Sequence, residues 1–197
     1  MEVLGEVHDN TISTRCFIAY SLRKVGKLTE ALECHRGLLA DLERKWENHH
    51  LDSLLTRNDI VDILIDLEKY DEVLQECNVL TPLQKKILGE KHVYTMHSTC
   101  ARGVVLYYKG DYDTALHILQ NLLPKQIEVL GEVHCETIST RNFIAYCLTG
   151  KGKLTEALEC HRGLLTDLER KLGKHHPESF CTRKDIADIL EYLEKYD

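Results

Sequence analysis

The sequence predicts an all-α protein built from helical hairpins that recur every 42 residues. A short phrase with Leu-Gly and His returns at that interval. Between its copies, apolar residues stand three and four positions apart, which is typical of one face of a helix. Glycine and proline are scarce, at 11 and 3 residues, whereas a protein of many strands needs frequent turn residues.

The repeat is most visible at residues 88–92, 130–134 and 172–176, which begin 42 residues apart. Two further steps back reach residues 46–50 and 4–8, so five histidines share one phase: His8, His50, His92, His134 and His176. We predict a single array over residues 1–197. Its repeats lie near residues 4–45, 46–87, 88–129, 130–171 and 172–197, and the last is incomplete.

A longer duplication overlies this repeat. Residues 4–71 match residues 130–197 at roughly seven positions in ten, an offset of three repeats. Adjacent repeats match far less well. We interpret this as duplication of a block of three repeats, which by itself indicates no function.

Each repeat is predicted to hold two helices, which we name helix A and helix B. In the first repeat helix A covers residues 11–25 and helix B covers residues 28–46, separated by a Gly-Lys turn. The apolar face of this helix A is Ile12, Ile18, Ala19, Leu22 and Val25, and that of helix B is Ala31, Leu32, Leu38, Leu39 and Leu42. Small residues let stacked hairpins approach closely. Histidine is expected at or beside the start of helix A.

Two prolines interrupt the helix B pattern. Pro82 and Pro124 lie 42 residues apart, where the other repeats have Ala40 and Thr166. Proline removes a backbone hydrogen bond and clashes with the preceding turn. We therefore expect a kink or a break in these two helices.

The fullest copy of the pattern combines Leu-Gly-Glu-Val-His at residues 130–134 and Thr137 with Ile144, Ala145 and the segment 152–157, Gly-Lys-Leu-Thr-Glu-Ala. It resembles the 42-residue tetratricopeptide repeats of kinesin light chain. The resemblance covers essentially the whole chain. It implies a tetratricopeptide-type α-solenoid of stacked antiparallel hairpins, wound as a right-handed superhelix, with helix A residues lining a concave groove that binds partners.

That family often carries an asparagine on helix A two positions before the small alanine. The corresponding residues here are Phe17, Asp59, Ala101, Phe143 and Asp185. Because no asparagine stands there, the sequence argues against a carboxylate clamp and against the acidic peptides that light-chain grooves suit.

Charge and composition restrict the partner further. The formal net charge is −7, and no basic tract is present to displace phosphate counterions, so we expect no nucleic-acid partner. No signal peptide or membrane-length apolar run is seen, which predicts no membrane partner and a cytoplasmic location. The eight cysteines form no disulfide framework in their spacing, in agreement with that compartment.

The sequence contains no motif that predicts an enzyme. The phased histidines belong to successive helices roughly 10 Å apart and cannot converge on one ion. The doublets at residues 49–50 and 175–176 lack further ligands at metal-site spacing, and residues 150–155 miss the spacing of a phosphate-binding loop. Cys34 and Cys160 are each followed by histidine, but neighbours on a helix point in different directions. We expect no catalytic residue, no metal and no cofactor.

The leading functional hypothesis is therefore a protein-binding scaffold or adaptor. Helix A positions predicted to line the groove are Phe17, Tyr20, Lys24, Asp59, Asp62, Asp66, Tyr108, Phe143, Tyr146, Asp185, Asp188 and Tyr192. Exposed aromatic rings are typical of binding hot spots. Three carboxylates project together in the second repeat, so the hypothesis is a peptide or helix with Lys or Arg flanking apolar anchors. An acidic, solvated face without a ligand is the alternative interpretation.

A structural assembly module is the competing hypothesis. Neither end of the sequence shows the polar capping helix that solenoids normally need. The last helix A should then expose Ile186, Ile189, Leu190 and Leu193. This pattern predicts either a fragment of a longer protein or self-association through the uncapped ends.

Overall fold

A computed structural model describes residues 9–46 and 50–196. These residues form nine α-helices: α1 (Asp9–Lys24), α2 (Leu28–Trp46), α3 (Leu51–Asp66), α4 (Tyr70–Leu88), α5 (Val93–Tyr108), α6 (Tyr112–Leu130), α7 (Cys135–Gly150), α8 (Leu154–Lys171) and α9 (Pro177–Tyr196). Odd-numbered helices are the predicted helices A and even-numbered ones the predicted helices B. Successive helices A start 42 residues apart, as the sequence repeat requires.

The chain divides into two compact units, residues 1–101 and residues 102–197, which we call the N-unit and the C-unit. In the N-unit α2 packs against both α1 and α3, and α3 packs against α4. In the C-unit α7 packs against α6 and α8, and α8 packs against α9. Each inner helix A thus lies between two helices B. None of the helices in the described residues combines the length and apolar character needed to cross a bilayer.

The duplicated sequence produces a duplicated core. Ile12 packs with Leu38 and Leu42 between α1 and α2, and the equivalent cluster between α7 and α8 is Ile138, Leu164 and Leu168. The predicted small positions are fully buried at Ala19, Ala31, Ala115, Ala145 and Ala157. At Gly103 an added Cβ would lie 2.6 Å from Leu119 Cδ2, so only glycine permits this contact of α5 with α6.

Histidine caps helix A in four repeats. The Nδ1 of His50 accepts the backbone N–H of Asp52, and that of His134 accepts the N–H of Glu136. His92 and His176 make the same bond with the residue two positions later, each at 3.3 Å. An acceptor here satisfies one of the unpaired N–H groups of the first turn. The predicted capping place is confirmed at these four residues, while His8 lies outside the described residues.

Arginines on the helices A add ion pairs that the sequence interpretation did not include. Each joins a carboxylate of an adjacent helix B: Arg15 with Asp41, Arg57 with Glu43 and Glu76, Arg141 with Asp167, and Arg183 with Glu169. Arg57 bridges both neighbouring helices, and its side chain is only 13% exposed. Such partly buried pairs fix the register between helices more than they add to stability.

Of the kink or break expected at Pro82 and Pro124, the break is wrong, because α4 and α6 run through these residues. Both prolines lie on exposed positions, as do Ala40 and Thr166 in the other repeats. The residues four positions earlier, Asn78 and Gln120, are exposed too. Water can therefore satisfy the carbonyl that each proline leaves unpaired, and packing on the opposite side holds the helix together.

The predicted apolar face of the first helix A is only partly correct. Ile12 and Ala19 are buried, but Ile18 is 49% and Val25 is 70% exposed. Val25 lies outside α1, which ends at Lys24. The predicted helix B over residues 28–46 matches α2, and its Ala31, Leu32, Leu38 and Leu42 are buried as expected.

The turn between helices A and B ends helix A with one residue at positive φ. Glycine occupies this place at Gly26, Gly110 and Gly152, but in the second repeat the residue is Glu68, with φ of 56°. Its N–H bonds the Ile65 carbonyl, and the next N–H, of Lys69, bonds Leu64. This is the Schellman arrangement, in which glycine avoids a clash of Cβ with the backbone.

Glu68→Gly should therefore stabilise the chain by up to about 1 kcal/mol, since the relief of left-handed strain exceeds the added entropy of the unfolded chain. Urea unfolding measures the change. Glu68→Ala is the matched control, because it removes the carboxylate and keeps the Cβ. Equal stability of the Gly and Ala variants would contradict the explanation.

Candidate functional site

A cavity of about 340 Å³ opens where α1, α2 and α3 meet in the N-unit. Three residues predicted for the groove, Phe17, Tyr20 and Asp59, line it together. The other lining residues are Ser13, Cys16, Arg23, His35 and Ile63. The cavity has the size of a small ligand pocket and combines apolar walls with a few polar groups. We call it the N-unit pocket.

His35, on helix B, forms a buried wall of this pocket. It is 2% exposed, and its Nδ1 has no hydrogen-bond partner. The Oδ2 atom of Asp59 lies 3.9 Å from that nitrogen, beyond hydrogen-bond length. Burial, with a smaller contribution from the charge of Arg23, lowers the pKa of His35 to about 4. The imidazole is therefore neutral near pH 7.

The three carboxylates predicted to project together are not equivalent. Arg23 bonds Asp66 at 2.6 Å and Asp62 at 3.3 Å, and Asp62 also contacts His97 Nε2 at 2.8 Å. Only Asp59 is left outside these pairs, with half of its side chain exposed. The expectation of a free acidic stripe needs correction here, because the cation on α1 neutralises part of it.

The pKa values of Asp59 and Asp62 shift in opposite directions. Desolvation, followed by the like charge of Asp62, raises the pKa of Asp59 to about 6. Desolvation acts on Asp62 as well, but the hydrogen bonds and charges of His97 and Arg23 outweigh it and lower the pKa of that carboxyl. Asp59 is thus the carboxylate of this pocket with unused capacity to accept a hydrogen bond.

Aromatic rings stand at the mouth of the N-unit pocket. Phe17 is 70% and Tyr20 is 54% exposed. The ammonium group of Lys24, also predicted for the groove, lies 5.2 Å from the centre of the Tyr20 ring. Exposure of aromatic rings to water beside a pocket is unfavourable unless a ligand covers them.

The C-unit contains the duplicate of this arrangement, but there the tyrosine is bonded to the carboxylate. Phe143, Tyr146, His161 and Asp185 stand three repeats after Phe17, Tyr20, His35 and Asp59. The Tyr146 hydroxyl donates to Asp185 Oδ2 at 3.2 Å, and its ring centre lies 5.7 Å from that of His161. His161 is 1% exposed, and neither of its ring nitrogens has a hydrogen-bond partner.

Further rings surround Tyr146 in the C-unit. Tyr107 contacts Phe143 and Tyr146 with ring centres 5.4 Å and 6.1 Å away, and the predicted Tyr108 contacts Phe143 at 6.0 Å. Edge-to-face pairs dominate the cluster, as aromatic quadrupoles favour. The groove residues Tyr108, Phe143 and Tyr146 therefore do come together, joined by Tyr107, which the prediction omitted.

The remaining predicted residues, Asp188 and Tyr192, line a second cavity of about 350 Å³ with Thr149, Leu154 and Ile189. Tyr192 is 53% exposed. Ile189 is 6% exposed, so the expectation that it lies on an uncovered end is wrong. It packs instead at the floor between α9 and the preceding hairpin. Leu190 is 36% exposed, and Ile186 and Leu193 are half-buried.

Sequence reasoning missed His35 and His161. The signal was available, since the Cys-His pair at residues 34–35 returns at residues 160–161 within the duplicated block. Their adjacency in sequence suggests only a catalytic Cys-His pair. In the structure each histidine instead faces the carboxylate of the next helix A, a relation between residues 24 positions apart that helical periodicity does not reveal.

The chemistry of the pocket favours binding. Within the described residues, no group of three or more His, Cys, Asp or Glu side chains is arranged to hold a metal ion. Burial raises the pKa of the Cys16 thiol, with smaller contributions from Asp59 and Asp52, which keeps it protonated and a weak nucleophile. The arrangement offers a hydrogen-bond acceptor, a neutral imidazole and aromatic walls.

Comparisons with known proteins identify the fold. Residues 137–178 match the family model described as tetratricopeptide repeat. Crystal structures of the nearly identical TPR-like repeats assigned to a kinesin light chain of Podosopora anserina superpose with a TM-score of 0.81. One of them covers 96% of this chain and 90% of its own, at 16% sequence identity. The fold is that of a kinesin light chain-like tetratricopeptide repeat protein.

Another solved tetratricopeptide-type neighbour is BtubC from P. vanneervenii, with a TM-score of 0.75 and 15% identity. That match covers 89% of this chain and 70% of BtubC. Among curated proteins none matches the sequence. The all-α tetratricopeptide-type solenoid predicted from the repeat is confirmed.

The raised pKa of Asp59 predicts that this carboxylate lowers the free energy of unfolding by an amount that depends on pH. A folded state that holds this proton more tightly loses stability as the pH rises from about 4 to about 6, and the full cost remains above that range. A shift of two units in a fully buried group would cost about 3 kcal/mol, and half exposure reduces this to about 1 kcal/mol. Asp59→Asn should stabilise the chain by that amount at pH 7.5 and by progressively less toward pH 4, measured by urea unfolding.

Asp62→Asn is the matched control, with the opposite sign. The lowered pKa of Asp62 contributes stability that is present at neutral pH and lost in acid. This variant should therefore be less stable than the wild type at pH 7.5, with a smaller difference near pH 4. A destabilised Asp59→Asn protein at pH 7.5 would refute the assignment of strain to that carboxylate.

Proposed function

We propose that this chain is a non-enzymatic scaffold or adaptor that binds a peptide or helix of a protein partner on its helix A face. That face consists of the groove residues predicted from the sequence, with His35, His161 and Tyr107 added. A single array over residues 1–197 remains part of the proposal. Tetratricopeptide repeats generally mediate protein–protein interaction, which supports the class of function.

The observation that carries the proposal is the N-unit pocket with its exposed rings. Phe17 and Tyr20 stand beside a cavity whose floor includes a buried, unpartnered imidazole nitrogen. Binding energy at interfaces concentrates where aromatic side chains surround a pocket that a partner can desolvate. All of the lining residues except His35 lie on helices A, which supports the groove hypothesis.

Charge on the same face supports a partner with apolar anchors flanked by Lys or Arg. Asp59 is half exposed in the N-unit, and Asp188 is exposed in the C-unit. Arg23 offsets Asp62 and Asp66, so charge steers the approach of the partner while the rings provide most of the affinity.

Self-association is a second candidate, favoured by exposed apolar side chains on α9. Phe180 is 57%, Tyr192 is 53% and Leu190 is 36% exposed. A second copy of the chain could cover them. Sedimentation over a range of concentrations distinguishes this candidate, because only self-association makes the apparent mass rise with protein concentration.

The proposal can be tested with peptides selected from a random phage-displayed library on the chain of residues 1–197. We expect Phe17→Ala or Phe143→Ala to weaken a selected peptide by about tenfold or more, mainly through faster dissociation, because each removes a hot-spot ring. Fluorescence polarisation and stopped-flow dissociation provide the two measurements.

Phe180→Ala is the matched control, since it removes an exposed ring outside the helix A face. It should leave peptide affinity within about twofold, as for a neutral surface residue. The helix A face is not the binding surface if the library yields no binder. The same conclusion follows if Phe180→Ala weakens binding while Phe17→Ala and Phe143→Ala do not.

A further inference from the structure

The two duplicated pockets differ in whether their own tyrosine occupies them. In the C-unit, the Tyr146 hydroxyl donates to Asp185 and its ring lies against His161. Tyr107 and Phe143 pack around the same ring. This chain therefore already shows which side chain bonds the carboxylate and packs against the buried histidine in this arrangement: a phenol.

The N-unit contains the same histidine and carboxylate without the phenol. Tyr20 stands outward, half exposed, with the Lys24 ammonium over its ring. Within the described residues, no hydrogen bond joins Tyr20 to Asp59 and no ring contact joins it to His35. The space that these residues enclose is the cavity of about 340 Å³.

Two substitutions between the duplicates accompany the difference, and the rings that pack on Tyr146 include Tyr107 of α5, a helix with no described counterpart before α1. Lys24 corresponds to Gly150, where an added Cβ would lie 2.7 Å from the Tyr112 ring, so a larger residue there requires that ring to move. Arg23 corresponds to Thr149. In the N-unit the Lys24 ammonium lies 5.2 Å from the centre of the outward Tyr20 ring, and Arg23 lines the cavity.

We propose that the N-unit pocket binds a tyrosine side chain of the partner, with its hydroxyl donating to Asp59 and its ring against His35. This proposal rests on the proposed function and specifies the chemistry of the partner. The bound tyrosine takes the place that Tyr146 takes in the C-unit. Its neighbours would be Phe17, Tyr20 and Ile63, which are the apolar walls of the cavity.

The chemistry of the walls selects tyrosine over other anchors. A phenylalanine ring would fill the cavity but leave Asp59 without a donor. A lysine could bond Asp59, yet it would bring a second cation beside Arg23 and would leave the rings uncovered. A phenol supplies both the donor and the ring, and a hydrogen bond to a charged group contributes more than a neutral one.

The test uses two probes that differ only in the hydroxyl, N-acetyl-L-tyrosinamide and N-acetyl-L-phenylalaninamide. Each is titrated into the chain of residues 1–197 while the imidazole signal of His35 is followed by ¹H–¹³C NMR. We expect saturable binding of the tyrosine probe with Kd on the order of millimolar. The phenylalanine probe should bind about tenfold more weakly, because it has no hydroxyl to donate to Asp59.

Asp59→Ala should abolish the preference for tyrosine at His35, whereas Glu33→Ala, which removes an exposed carboxylate of α2 outside the pocket, should leave it unchanged. Tyr146→Ala supplies an independent check. It empties the C-unit pocket and should add a second site for the tyrosine probe, detected at the His161 signal. These variants keep the test valid even if one of them folds poorly.

Equal binding of the two probes, an unchanged preference in Asp59→Ala, or no saturable change at His35 would overturn the proposal. So would a Tyr146→Ala protein that gains no second site. These results would leave the proposed function standing if selected peptides without tyrosine still depend on Phe17 and Phe143. Failure of the peptide selection is the separate result that refutes the function itself.

Discussion

Close packing of helix A against helix B at small, fully buried positions is the constraint on which the other features depend. Ala19 and Ala31 in the N-unit, and Ala145 and Ala157 in the C-unit, have no exposed surface. Each helix B then meets the next helix A as well. This geometry places the buried His35 of α2 beside Asp59 of α3, so the pocket is a product of repeat stacking rather than of any local motif.

The duplication turns one pocket into two with different properties. His35 and His161 are equally buried, and each faces a carboxylate of the following helix A. Where Gly150 makes room for Tyr112, Tyr146 folds inward within an aromatic cluster. Where Lys24 stands instead, the tyrosine stays outside and a cavity remains. The chain thus holds a filled and an open version of the same site.

Much of the fold could be predicted because the repeat shows it directly. The 42-residue phase gave the helix starts, the residues 28–46 of α2 and the histidine caps. Interactions between helices could not be predicted in the same way. The Arg23 pairs with Asp62 and Asp66 and the position of His35 depend on side-chain geometry between repeats. The continuation of α4 through Pro82 depends on which side of the helix faces water.

The distinction between a filled and an open pocket is tested most directly by an NOE experiment on the tyrosine and histidine rings of the unliganded chain. Ring protons of Tyr146 should show NOEs to His161, since the ring centres are 5.7 Å apart, and Tyr20 should show none to His35. That result would establish one filled and one open pocket. NOEs of equal strength in both pairs, or in neither, would contradict the distinction on which the account of this face depends.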